Sequence, residues 1–118
     1  MQPIHWTPVT GIDQIPTREG RAVQVGRKEL AIFNLDGRFV TIENSCPHQG
    51  GPLCDGIVAG TSVVCPLHGW HFDLNSGLAM RSSAPACVAT FPTRVVDGII
   101  HVDVGAPIRI DPEGQAAA

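Results

Sequence analysis

The sequence predicts an all-β protein. Glycine (13) and proline (10) are abundant, and the apolar segments between them are short and rich in valine and isoleucine, which is the signature of strands joined by turns. Asp36-Gly37 adds a two-residue hairpin signal between two such segments, because glycine tolerates the positive φ that these turns need.

Taken in order, the expected strands are Ala22 to Val25, Glu29 to Asn34, Phe39 to Glu43, Ser62 to Cys65, Trp70 to Asp73, Ala89 to Phe91 and Ile99 to Val104. Ala59-Gly60-Thr61, Asn75-Ser76-Gly77 and Asp97-Gly98 read as further turns. The strand-rich flanks can pair with each other around a middle section at roughly 45–80, giving a small β base with an inserted site. Residues 1–106 form one domain on this reading. After Pro107 the chain reads Ile-Arg-Ile-Asp-Pro-Glu-Gly-Gln-Ala-Ala-Ala, whose end lacks apolar side chains large enough to pack, so 107–118 is expected to be a flexible tail.

At 118 residues, the chain can bury one core but cannot hold a nucleotide domain beside a substrate domain. The formal net charge of -3, with scattered Lys and Arg, offers no basic stripe for nucleic acid. No apolar run approaches the roughly 18 residues of a membrane span, and Met1-Gln2-Pro3-Ile4 lacks the features of an export signal. A soluble, cytoplasmic protein with no membrane partner is the expectation. In that setting Cys46, Cys54, Cys65 and Cys87 are expected to bind metal or stay as thiols rather than form disulfides.

The chemistry is concentrated in two stretches, Cys46-Pro47-His48-Gln49-Gly50-Gly51-Pro52-Leu53 and Cys65-Pro66-Leu67-His68-Gly69-Trp70-His71-Phe72. They give C-x-H, then the sixteen residues Gln49 to Val64, then C-x-x-H. Two thiolates and two imidazoles could bind tetrahedral zinc. Zinc fingers usually pair Cys with Cys and His with His, whereas each pair here is mixed, and mixed pairs suit an asymmetric cluster.

The two motifs resemble those of Rieske proteins, in which two His replace two Cys on one iron of a [2Fe-2S] cluster. The resemblance implies stacked antiparallel sheets carrying an inserted cluster-binding subdomain. It also implies that Cys46 and Cys65 hold the inner iron while His48 and His68 hold the outer, redox-active one. Exchanging two thiolates for neutral imidazoles raises the potential above that of an all-cysteine cluster. The Gly- and Pro-rich turns are then expected to aim backbone N–H groups at cluster sulfurs. Rieske proteins of respiratory and photosynthetic complexes resemble C-T-H-x-G-C and C-P-C-H-G-S, with an extra cysteine pair and a serine. Gly51, Leu67 and Trp70 stand at those positions here, so a low potential is expected, toward the roughly -150 mV end of the Rieske range.

Other residues have plainer expected roles. Cys54 and Cys87 read as free, packed thiols, and Trp70 and Phe72 as core beneath the cluster loop. His71 reads as a strand side chain near the cluster, with partner docking or proton delivery as the sharper alternative. His5 and His101 are expected to be ordinary surface or packed residues. The Gly56 to Gly60 run has the wrong glycine spacing for a nucleotide fingerprint.

A lone domain of this kind moves one electron at a time. The stretch from Cys46 through Gly77, with Ile15-Pro16, Ala31-Ile32-Phe33 and Thr90-Phe91-Pro92, resembles the small subunit of assimilatory NAD(P)H nitrite reductase. That resemblance implies a large subunit carrying flavin and siroheme, which reduces nitrite to ammonium. The alternative is a ferredoxin between a flavoprotein reductase and the terminal oxygenase of an aromatic-ring-hydroxylating dioxygenase system. In neither role is the chain expected to be catalytic alone.

Overall fold

The computed structural model describes residues 6–47, 50–67, 69–81 and 85–110, which form strands, turns and two short 3-10 turns, with no α-helix among them. Among the described residues, eleven strands lie in three sheets, each antiparallel throughout. The first sheet has the order β1-β11-β10, from Trp6–Gly11, Ile99–Asp103 and Thr93–Val96. The second has the order β2-β3-β4-β9, from Gly20–Val25, Lys28–Leu35, Arg38–Glu43 and Thr90–Phe91. The third has the order β5-β6-β7-β8, from Ile57–Ala59, Ser62–Val64, His71–Asp73 and Ala79–Arg81.

β4 and β9 pair directly, Thr41 with Phe91 and Ile42 with Thr90. The third sheet and its loops are therefore an insertion between two neighbouring strands of the base, running from Asn44 to Ala89. That is wider than the expected 45–80.

Two-residue turns fix the registers. Asp36 and Gly37 have φ of 56° and 98°, and Asp97 and Gly98 have 52° and 76°, so both central residues are left-handed as this hairpin type requires. They close Leu35 against Arg38 and Val96 against Ile99. At Gly26-Arg27 only the glycine has positive φ, at 61°, and Val25 pairs with Lys28.

The run Leu30-Ala31-Ile32-Phe33 is apolar without alternation because β3 is buried on both faces. Ala31, Phe33 and Leu35 enter one apolar cluster with Ile42, Leu53, Val63, Phe72 and both Cys46 and Cys65. Leu30 and Ile32 enter the other with Ile15, Phe91, Ile100 and Val102. Phe33 and Phe72 are fully buried, each worth up to about 3 kcal/mol. One strand thus joins the base to the inserted sheet.

Four strands escaped the sequence pattern. β1 contains Pro8, which sits at a register shift on an edge strand, where a missing N–H is tolerated. β5 and β8 have three residues each, and β8 is distorted by a second register shift. β10 begins directly after Pro92, and its apolar residues are largely exposed.

The chain also stays in the fold past Pro107, where fraying was expected. Thr90 and Ile108 exchange two backbone hydrogen bonds of 2.9 and 2.8 Å, and Arg109 pairs with Glu43 at 2.6 Å. Residues 111–118 lie outside the described residues.

Candidate metal centre

Cys46 and Cys65 head two loops with the same backbone skeleton. In the first, the Gly50 N–H donates to the Cys46 carbonyl at 2.7 Å and the Cys46 N–H donates to the Gly51 carbonyl at 2.9 Å. In the second, the Gly69 N–H donates to the Cys65 carbonyl at 3.0 Å and the Cys65 N–H to the Trp70 carbonyl at 2.7 Å. Gly50 and Gly69, each four residues after its cysteine, have φ of 72° and 73°. A Cβ is disfavoured in that region, so both glycines are needed for the chain to return. These four N–H groups close the loops rather than point at a cluster.

This closure explains why Cys65 and Trp70, expected at strand ends, lie just outside β6 and β7: they form the pair that shuts the loop. The loops also touch. A Cβ on Gly51 would lie 2.9 Å from Cγ of Leu67 and 3.2 Å from Sγ of Cys65, so a glycine permits the close approach of the first loop to the second thiol.

Both thiols are buried, at 1% and 2% exposure, within one apolar cluster. Trp70 and Phe72 form its floor as expected, with ring centroids 6.3 Å apart. His48 and His68, the expected imidazole ligands, lie outside the described residues. Two buried sulfurs on matched, abutting loops fit a shared metal group better than two unrelated packed cysteines, and none of the four cysteines is tied up in a disulfide.

Sequence reasoning missed Asn44. It is 4% exposed, and its side chain donates to Oε2 of Glu29 at 2.7 Å and accepts the Cys54 N–H at 2.7 Å. Its own N–H donates to the Glu29 carbonyl at 3.1 Å. Asn44 thereby ties both ends of the first loop to β3. Its partners lie 15 and 10 residues away, so no local pattern reveals it.

Cys54 is half-buried, and desolvation by burial pushes its thiol above the ordinary 9.0, with the Asp55 and Glu29 carboxylates adding to the shift and the Asn44 contact opposing it. Cys87 forms an isolated bridge with Leu78. His71 is a partly buried residue of β7, paired with Val64 and Arg81. His101 contacts the Ile99 carbonyl through Nδ1 at 3.0 Å, and His5 lies outside the described residues. No helix among the described residues is long and apolar enough to cross a membrane.

Comparison with known proteins decides the family. Residues 5–92 match the Rieske [2Fe-2S] domain. The chain belongs to the Rieske family. This Rieske chain is 31% identical over 100 residues to the anthranilate 1,2-dioxygenase ferredoxin subunit of Burkholderia cepacia, covering 85% of this chain and 93% of the relative. Its fold matches the Sphingomonas yanoikuyae B1 ferredoxin with a TM-score of 0.78 and 29% identity, over 84% of this chain and 98% of the other. A structure described provisionally as a NADPH nitrite reductase small subunit matches with a TM-score of 0.73 over 83% of this chain and 97% of the other. At 22% identity that likeness speaks to fold alone. The cofactor of the Rieske chain is a [2Fe-2S] cluster, and its role is electron transfer.

Proposed function

We propose that this Rieske protein is the ferredoxin of an aromatic-ring-hydroxylating dioxygenase system, taking electrons from a flavoprotein reductase and passing them to a terminal oxygenase. The observation that carries this is the 31% identity to a dioxygenase ferredoxin subunit over nearly the full length of both chains. It reverses the order in which the motifs alone rank the two readings. The nitrite reductase small subunit is the second reading, favoured by the Gly50-Gly51-Pro52-Leu53 run that its motif shares.

In this role Cys46 and Cys65 would hold one iron of the cluster and His48 and His68 the other. When bound, the cluster stores a single electron at a potential set partly by its two imidazole ligands. The chain's own contribution is placement. Gly50 and Gly69 turn each loop back, Asn44 fastens the first loop to β3, and the apolar floor of Trp70, Phe72 and Leu53 excludes water from the thiol side.

The test is reconstitution of the cluster-loaded chain with the reductase and oxygenase of an anthranilate dioxygenase system, with oxidation of NADH and hydroxylated product both measured. Turnover that requires this chain is expected. Siroheme absorption in material co-purified from its own cells, with no transfer to the oxygenase, would move the assignment to nitrite reductase. In parallel, Cys46→Ser and Cys65→Ser are each expected to abolish iron binding, while His68→Cys lowers the potential of any cluster retained. Full iron content in either serine variant would overturn the ligand set.

A further inference from the structure

The first sheet buries one face and leaves the other bare. Ile100 and Val102 of β11 are fully buried in the second apolar cluster, so Ile99 and His101, which alternate with them, face outward. Residues paired across an antiparallel ladder share a face. The ladders therefore add Val96 and Arg94 of β10, opposite Ile99 and His101, and Gly11 and Pro8 of β1, opposite the same two residues. Val96 is 42% and Ile99 39% exposed. Ile12, whose N–H donates to the Gly98 carbonyl at 3.0 Å, is 40% exposed at the same end of the sheet.

Charge divides this face into two ends. At one end Arg94 lies over the Trp6 ring, its guanidinium carbon 4.4 Å from the centroid. At the other, Asp97 occupies the turn between β10 and β11, and the Asp13 carboxylate lies across Gly11, where a Cβ would come within 2.7 Å of its Oδ1. The apolar pair Val96 and Ile99 sits between the two ends. Asp13, Arg94 and Asp97 have no ion-pair partner among the described residues.

We propose that this outer face is a self-association surface whose occupant is the same face of a second copy of the chain. A twofold axis that lies in the interface and crosses the strands exchanges the two ends. It seats Arg94 of each copy against Asp97 of the other and brings the two Val96 and Ile99 pairs together near the axis. The apolar centre supplies the desolvated contact, and the two charge pairs fix the orientation, because a copy docked without that inversion sets acid on acid. Three short strands make a small contact, so the association is weak and follows concentration. The second apolar cluster and β3 separate this face from the buried Cys46 and Cys65 thiols, so pairing here leaves both thiol-bearing loops uncovered.

Sedimentation of the intact, cluster-loaded chain from about 5 to about 500 µM tests the face. The average mass is expected to climb from one chain toward two. Ile99→Glu should weaken association about tenfold, and so should Arg94→Glu and Asp97→Lys, each of which sets like charges opposite in its own pairing. Cluster absorption reports that each variant is folded. An equimolar mixture of the Arg94→Glu and Asp97→Lys chains is expected to associate like the parent, because in the mixed pair one contact is reversed and the other is native. Ile57→Glu and Met80→Glu, at exposed apolar positions of the third sheet, should leave the parent behaviour unchanged.

A parent that stays a single chain throughout the range would overturn the proposal. Folded Ile99, Arg94 and Asp97 variants that associate as the parent does, a mixture that stays single, or a loss confined to the Ile57 and Met80 variants would overturn this face.

Discussion

The loops after β4 and β6 share one hydrogen-bonded skeleton but differ in the residue that shuts it. In the second loop that residue is Trp70, whose ring is buried beside Phe72. In the first it is Gly51, which has no side chain because Leu67 and the Cys65 sulfur already occupy the space. Two matched loops that abut cannot both place a large side chain at the equivalent point. One fills the floor, and the other yields to its neighbour.

They also differ in how they are anchored. The second loop simply joins adjacent strands, with Val64 paired to His71 immediately behind it. The first leaves the base sheet and continues into a 3-10 turn, Leu53–Asp55, with no ladder behind it. Asn44 supplies the missing anchor through its contacts to Glu29 and Cys54. A side-chain clamp does for one loop what strand pairing does for the other.

Removing that clamp gives the largest expected difference. Asn44→Ala strands the Cys54 N–H and frees the Glu29 carboxylate, at a cost of about 1–3 kcal/mol. Urea unfolding measures the cost, and chelator-driven iron release should quicken as the first loop loosens. Release at the parent rate would mean that loop-closing bonds alone suffice.

A smaller effect tests the shared skeleton. Gly50→Ala and Gly69→Ala each force a Cβ into the left-handed region, where neither meets a neighbour closer than the Ser45 hydroxyl at 3.8 Å from Gly50. Strain alone should then cost about 1–2 kcal/mol at both. A thermal-unfolding comparison that separated the two widely would break the equivalence.

The smallest effect belongs to Cys54, at the far end of the first loop. Cys54→Ser should keep the full iron content, and iron loss would show that this thiol serves the centre. Because burial raises its pKa above 9.0, the folded chain favours the neutral thiol. That contribution to stability is complete below the unfolded pKa and is lost as pH rises through the folded one. The serine variant should therefore show a shallower alkaline decline in stability above about pH 9.

Much of this was legible in the residues. β2, β3, β4, β6 and β11 announced themselves through β-branched content, and the Asp-Gly turns through the positive φ they require. The cysteines declared themselves by spacing. What stayed hidden depended on distant partners: β5 and β8 are too short to show a period, β1 carries a proline that only an edge accommodates, and Asn44 resembles any turn asparagine until Glu29 and Cys54 are beside it.

The short segment around Ile108 bears on how the protein keeps to itself. β9 contributes only Thr90 and Phe91 to the second sheet, and Ile108 binds Thr90 on the side away from β4. Bare strand edges invite pairing with other molecules. A polypeptide ended at Ala106, where composition alone would set the boundary, would uncover that edge. The stretch that looks dispensable is what occupies the outer hydrogen-bonding groups of Thr90.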